Sequence, residues 1–191
     1  MGVITAAKCR YSSAVNPIMP RRSVPVPWNA IGVRYPSAQL PYTGLCNRNQ
    51  LSAELAATLA NRHPSTGIAV IFVDINGFHR INEDFDFETG NLVLAAVAER
   101  LSAVTGADDL LARLDADSFV LVRAAPQDQC VAMAEQCVAD IHSAFREPVV
   151  ISAVSIPVRL NCGVAHHPAD GDSAATLIRA ARRAMESSRR D

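Results

Sequence analysis

The chain has 191 residues, 49% hydrophobic and 19% charged, enough for one domain with an appendage or two small domains around a real core. A net charge of −1 excludes a strong overall pull toward nucleic acid or anionic lipid. No run of about 18 apolar residues exists to span a membrane, and the N-terminus lacks the continuous apolar region of a secretory signal.

The charge is unevenly spread. Residues 1–41 hold Lys8, Arg10, Arg21, Arg22 and Arg34 and no Asp or Glu, a local charge of +5 that leaves −6 for the remainder. Six of the eleven prolines also lie there. "MPRRSVPVPW" follows neither a strand nor a helix period, and proline withholds the N–H that regular ladders need. Residues 1–41 are expected to be a basic, proline-rich, flexible linker or arm. A solvated tether is the plain reading, and docking on an acidic surface is the sharper one. Trp28, the single tryptophan, is a candidate anchor by residue type alone.

From residue 42 a domain is expected to run to 191. Leu51, Leu55 and Leu59 recur every four residues and mark a helix that Pro64 and Gly67 stop. "IAVIFVDI" is a β-branched run of strand length, buried on both faces. "GFHRINEDFDFETG" reads as a short helix and a turn, and Leu94, Val97, Ala98 and Leu101 define a second helix closing at Gly106. "LLARL" and "SFVLVRA" are two strands about an acidic tip. Pro126 is expected to start a third long helix, with Cys130, Ala134, Cys137, Ile141 and Phe145 in one stripe. "PVVISAVSIPVRLNCGVAHH" holds two or three strands, and "SAATLIRAARRAMESSRR" closes as a basic helix capped by Asp172 or Ser173. This order predicts an α+β fold, a mostly antiparallel sheet covered by helices in the ferredoxin-like manner. The five cysteines include no CxxC and no zinc-ligand spacing, which favours a reducing cytoplasm.

Acids converge at two predicted strand ends. Asp74 closes one strand, while Asp115 and Asp117 occupy the hairpin tip. If those strands are neighbours, Asp74 and a tip acid come close, and paired carboxylates repel unless a cation or proton lies between them. Magnesium suits that chemistry, with few carboxylates, some water and the phosphate oxygens of a nucleotide. The turn into a helix after Asp74 offers backbone N–H groups to phosphate. The bland alternatives are that Asp115 and Asp117 merely turn the chain and that Asp74 caps a helix.

"YTGLCNR", "VDINGFHRIN", "RLDADSF", "NCGVAHHPADGD" and "LIRAARRAM" stand in the order and spacing of the GGDEF domain, and residues 42 to 190 resemble that diguanylate cyclase family. The resemblance implies a nucleotide-cyclase palm with a central sheet among helices. It also implies bacterial signalling by cyclic di-GMP, which active members make from two GTP molecules held by two facing subunits. That reaction is two-metal phosphoryl transfer.

Position by position the resemblance implies magnesium ligation by Asp74, the Ile75 carbonyl and Asp117, and nucleotide contacts from Phe78, Asn82, Asn91 and Arg189. Several positions depart from the pattern. Asn76 replaces a second strand-end aspartate, His79 a lysine, and Asn91 the acid that pairs with guanine. The signature has become Asp115-Ala116-Asp117-Ser118-Phe119, with no catalytic set intact. Ser118 stands where a glutamate would hold the second metal, and both glycines are lost. Ala116 tolerates a left-handed conformation poorly and adds a methyl where ribose would lie. The inhibitory RxxD is reduced to Gly106 and Asp109. A non-catalytic regulatory module that binds GTP with magnesium weakly is therefore expected. It would adjoin a phosphodiesterase (EAL-type) or sensor domain, homodimerise, and need no nucleic acid and no membrane insertion. A weakly active diguanylate cyclase and a dimerisation piece that binds no nucleotide remain the alternatives.

Overall fold

The computed structural model describes residues 43–188. The arm at 1–41 and Arg189 lie outside the described residues. The elements are α1 (Arg48–Asn61), β1 (Thr66–Ile75), α2 (Phe78–Asp84), α3 (Phe87–Val104), β2 (Leu110–Arg113), β3 (Ser118–Pro126), α4 (Cys130–Ala144), β4 (Val149–Ile151), β5 (Val154–Ile156), β6 (Leu160–His167) and α5 (Ala174–Ser188).

β1 is the centre of the molecule because its apolar run is long enough to be covered on every side. All residues from Gly67 to Ile75 are buried. It pairs antiparallel with both β3 and β6, and β2 extends the sheet to give the order β2-β3-β1-β6. With α3 and α4 as crossovers, this is the ferredoxin-like α+β arrangement expected from the element order.

Strand alternation sorts the core into two layers. Ile68, Val70 and Phe72 pack with Leu51 and Leu55 of α1 and with Leu177, Ala181 and Met185 of α5. Ile71, Val73 and Ile75 pack with Val93, Leu94 and Val97 of α3 and with Cys137 and Ile141 of α4. The α1 start is fixed by Asn47, whose side chain accepts the Asn49 and Gln50 N–H groups while Gln50 returns a bond to the Asn47 N–H. At α5, Ser173 rather than Asp172 supplies the cap, since its hydroxyl accepts the Thr176 N–H at 3.3 Å.

Two boundaries differ from expectation. Pro126 ends β3 instead of starting a helix, and α4 begins only at Cys130. Proline is tolerated there because it closes a strand, while its carbonyl accepts the Gln129 N–H at 2.9 Å. Helix α3 starts at Phe87, inside the stretch read as a turn, because the Asp86 side chain caps it through the Thr89 N–H at 2.6 Å. The segment before β6 forms two further strands that pair only with each other, joined by Ser152 and Ala153 at φ 48° and 70°.

Gly163 of β6 lets α5 seat on the sheet. A Cβ there would lie 2.1 Å from the Met185 nitrogen and 2.4 Å from the Ala181 oxygen, both backbone atoms that cannot swing aside. Gly163→Ala is expected to destabilise the domain by about 1–3 kcal/mol through overpacking. The readout is the urea unfolding midpoint, and an unchanged midpoint would contradict the α5–β6 seating.

Candidate functional site

Register brings the polar residues together. Asp74 lies opposite Ser118 across β1 and β3, and opposite Asn161 across β1 and β6. Directly opposite residues share a face, with Cβ atoms about 5 Å apart. The Ser118 hydroxyl donates to Asp74 Oδ1 at 3.3 Å, and both residues are buried, at 7% and 9% exposure. Asn161 adds a buried side-chain N–H group, Nδ2, with no hydrogen-bond partner among the described residues. Sequence reasoning missed Asn161. Its only signal was a polar residue inside an otherwise apolar strand.

The hairpin tip sits against the same end of β1. The Ile75 N–H donates to the Asp117 carbonyl at 3.1 Å, so Asp117 and Asp74 occupy adjoining strand ends. Asp117 is half-buried. Asp115 turns the other way, accepting from Arg48 Nη2 at 2.9 and 2.8 Å through its two carboxylate oxygens. Of the two tip acids, it is therefore Asp117 that neighbours Asp74. The tip closes without a left-handed residue at Asp115 or Ala116, since the only non-glycine positive φ values among the described residues are at Ser152 and Ala153.

Arg113 organises this turn from inside. It is 9% exposed, and its guanidinium donates to the Asp115 carbonyl at 3.1 Å and the Ala116 carbonyl at 2.7 Å. Burial lowers its pKa from the ordinary value, and the neighbouring Asp117 charge partly offsets that. Sequence reasoning passed over Arg113 because one arginine in "LLARL" reads as an edge residue. Its exposed backbone partners become visible only when the tip folds back.

The residues tied to guanine by resemblance gather at α2 and α3. Gly77, at φ 70°, makes the turn out of β1. Phe78 is buried at 6% within the core on the α3 side of the sheet. The Asn82 carboxamide lies where a Cβ on Gly90 would meet it at 1.9 Å, which places Asn82 against the chain segment bearing Asn91. Both asparagines are half-buried, whereas Asn76 and His79 are exposed. Helix α2 has only seven residues, and its Arg80 N–H is already bonded to the Gly77 carbonyl at 2.9 Å.

Gly106 and Asp109, the positions that the resemblance ties to an inhibitory motif, bond within the chain. Asp109 accepts from Arg123 Nε at 3.0 and 3.1 Å and from the Gly106 N–H at 2.7 Å. The two side chains are 15% and 7% exposed, and the bond to Asp109 raises the Arg123 pKa. Among the described residues no group of three or more His, Cys, Asp or Glu is placed to hold a metal ion. His166 and His167 end β6, with His167 at 7% exposure.

The two ion pairs predict different costs. Asp109→Ala leaves a largely buried Arg123 unpaired and is expected to cost about 3 kcal/mol. Asp115→Ala removes a pair whose members are half exposed and is expected to cost less than about 1 kcal/mol. Chemical denaturation of both variants checks the ordering, and equal losses would contradict it.

Residues 41–191 match the family model described as "Diguanylate cyclase, GGDEF domain". The chain is similar to the cyclic di-GMP phosphodiesterase NbdA of Pseudomonas aeruginosa, at 28% identity over 77% of the chain and 18% of that protein. It is also similar to the bifunctional diguanylate cyclase/cyclic di-GMP phosphodiesterase MucR of the same organism, at 35% identity over 58% of the chain and 16% of that protein. The chain thus spans less than a fifth of these relatives' length. Among solved structures, a sensory box/GGDEF family protein from Caulobacter crescentus superposes with a TM-score of 0.76 at 29% identity, covering 81% of the chain and 99% of that structure. The GGDEF domain of TpbB from Pseudomonas aeruginosa gives 0.74 at 30% identity, covering 80% and 88%. The matched family and the antiparallel sheet among helices agree, and the chain belongs to the GGDEF diguanylate cyclase domain family.

Proposed function

We propose that the chain is a non-catalytic GGDEF module of cyclic di-GMP signalling that holds one GTP–magnesium weakly and does not convert it. The observation that carries this reading is the Ser118 hydroxyl bonded to Asp74, a neutral donor where the family signature places an acid. A unit charge pair at 4 Å contributes about 4 kcal/mol at an effective dielectric of 20. Losing one such attraction for a cation corresponds to about a thousandfold in rate.

The residues present fit one magnesium better than two. Asp74, Asp117 and the Ile75 carbonyl lie at adjoining strand ends and would share the ion with phosphate oxygens and water. Such an ion would neutralise phosphate charge. Asn82 and Asn91 would hold guanine through amides alone, without the charge assistance of a carboxylate, which accounts for weak rather than tight binding. Arg189 would add a phosphate contact from the chain end after α5. The Asp109–Arg123 pair supports the absence of product feedback, because the remaining acid is already engaged.

The same reading assigns the module a partner in its own protein. NbdA and MucR are named for phosphodiesterase activity and are several times longer than this chain. An adjoining phosphodiesterase or sensor domain would register whether nucleotide is bound here. No helix among the described residues is long and apolar enough to cross a membrane. Free thiols at Cys130, Cys137 and Cys162 among the described residues support a reducing cytoplasm.

Melting temperature is measured against GTP with magnesium, and the same samples are then assayed for cyclic di-GMP. A magnesium-dependent rise of a few degrees without product is expected, since occupancy at ten times Kd stabilises by about 1.4 kcal/mol. Asp74→Ala is expected to abolish that rise. Product above background would overturn the non-catalytic reading, and no shift with any nucleotide would favour a purely structural module.

A further inference from the structure

The stretch Glu83-Asp84-Phe85-Asp86-Phe87-Glu88 alternates acids with aromatic rings, and all six residues are exposed. Phe85 is 46% exposed and Phe87 78%, unusual for large apolar side chains that have no role at a surface. Beside them opens a cleft of ≈ 210 Å³ between the first turns of α3 and the β4–β5 turn. Leu92 and Val154, each 45% exposed, line it with Phe85, while Asp86 and Glu88 supply an acidic rim.

We propose that this cleft docks the chain's own segment Arg21-Arg22-Ser23-Val24-Pro25-Val26-Pro27-Trp28. Two observations choose this occupant. The first is charge: residues 1–41 carry five basic side chains and no acid, against Asp86 and Glu88 on the cleft and the exposed Glu83 and Asp84 just before it in the chain. The same four acids disfavour a second copy docking face to face, because each would meet its like.

The second observation is reach. Fourteen residues, fifteen Cα-to-Cα steps, separate Trp28 from Thr43, where the described structure begins. That length extends to about 50 Å. A domain of this size has a radius of gyration of about 15 Å. At full extension the tether is therefore longer than the domain is wide. Arginines would meet the acidic rim, and the valines and indole would cover Phe85, Phe87 and Leu92. Two prolines reduce the conformational freedom lost on docking. The docking does not depend on nucleotide binding.

Trp28 is the chain's single tryptophan, so its fluorescence reads the contact directly in the full chain. A docked arm gives blue-shifted emission and shielding from acrylamide, both unchanged on dilution. Glu83→Lys with Asp84→Lys, and separately Phe87→Ser, are expected to shift the emission to the red and remove the shielding. These substitutions leave Asp86, which caps α3, in place. Adding Arg21→Glu and Arg22→Glu to the lysine pair is expected to restore shielding. About 1 M salt, where the Debye length falls to about 3 Å, should weaken it. Emission like that of free tryptophan in the unaltered chain would overturn the proposal. So would shielding that survives the substitutions, which places the arm elsewhere, or shielding lost on dilution, which assigns the contact to a second copy.

Discussion

The pairing of β1 with two antiparallel neighbours is the constraint on which the rest depends. This strand is hydrogen-bonded along both edges and buried on both faces, so its register is set by eight consecutive buried side chains. A slip of one residue would exchange the two faces and drive Asp74 into the α3–α4 core. The packing that stabilises the domain is thereby the same packing that sets Asp74 against Ser118 and Asn161. Function at this site is positioned by apolar burial two or more residues away.

Asp115, Asp109 and Ser118, three positions singled out by the resemblance, each have a partner within the chain. Asp115 meets Arg48, Asp109 meets Arg123, and Ser118 meets Asp74. These contacts differ in strength. The Arg48–Asp115 pair is half exposed and contributes little, whereas Arg123–Asp109 is largely screened from water and costly to break.

Legibility in the sequence followed the strength of the local pattern. β1 was readable because an uninterrupted β-branched run has few other stable placements, and the α4 stripe from Cys130 to Ile141 is buried as its spacing predicts. Pro126 misled because proline suits a helix start as well as a strand end, and only the β1–β3 ladder decides between them. The β4–β5 ribbon was underspecified because Ser152 and Ala153 carry none of the usual turn chemistry. Arg113 and Asn161 were invisible as site residues, since Arg113 acts through tip carbonyls that turn toward it only on folding and Asn161 through Asp74, far away in the chain.

The number of divalent ions held at Asp74 tests the site most directly. The full chain would be loaded with a non-hydrolysable GTP analogue and manganese in place of magnesium, and bound ions counted by electron paramagnetic resonance. One ion per chain is predicted, lost in Asp74→Ala. Two ions per chain, or one that persists without Asp74, would contradict a site built on Asp74 and Asp117 with Ser118 unable to hold a companion.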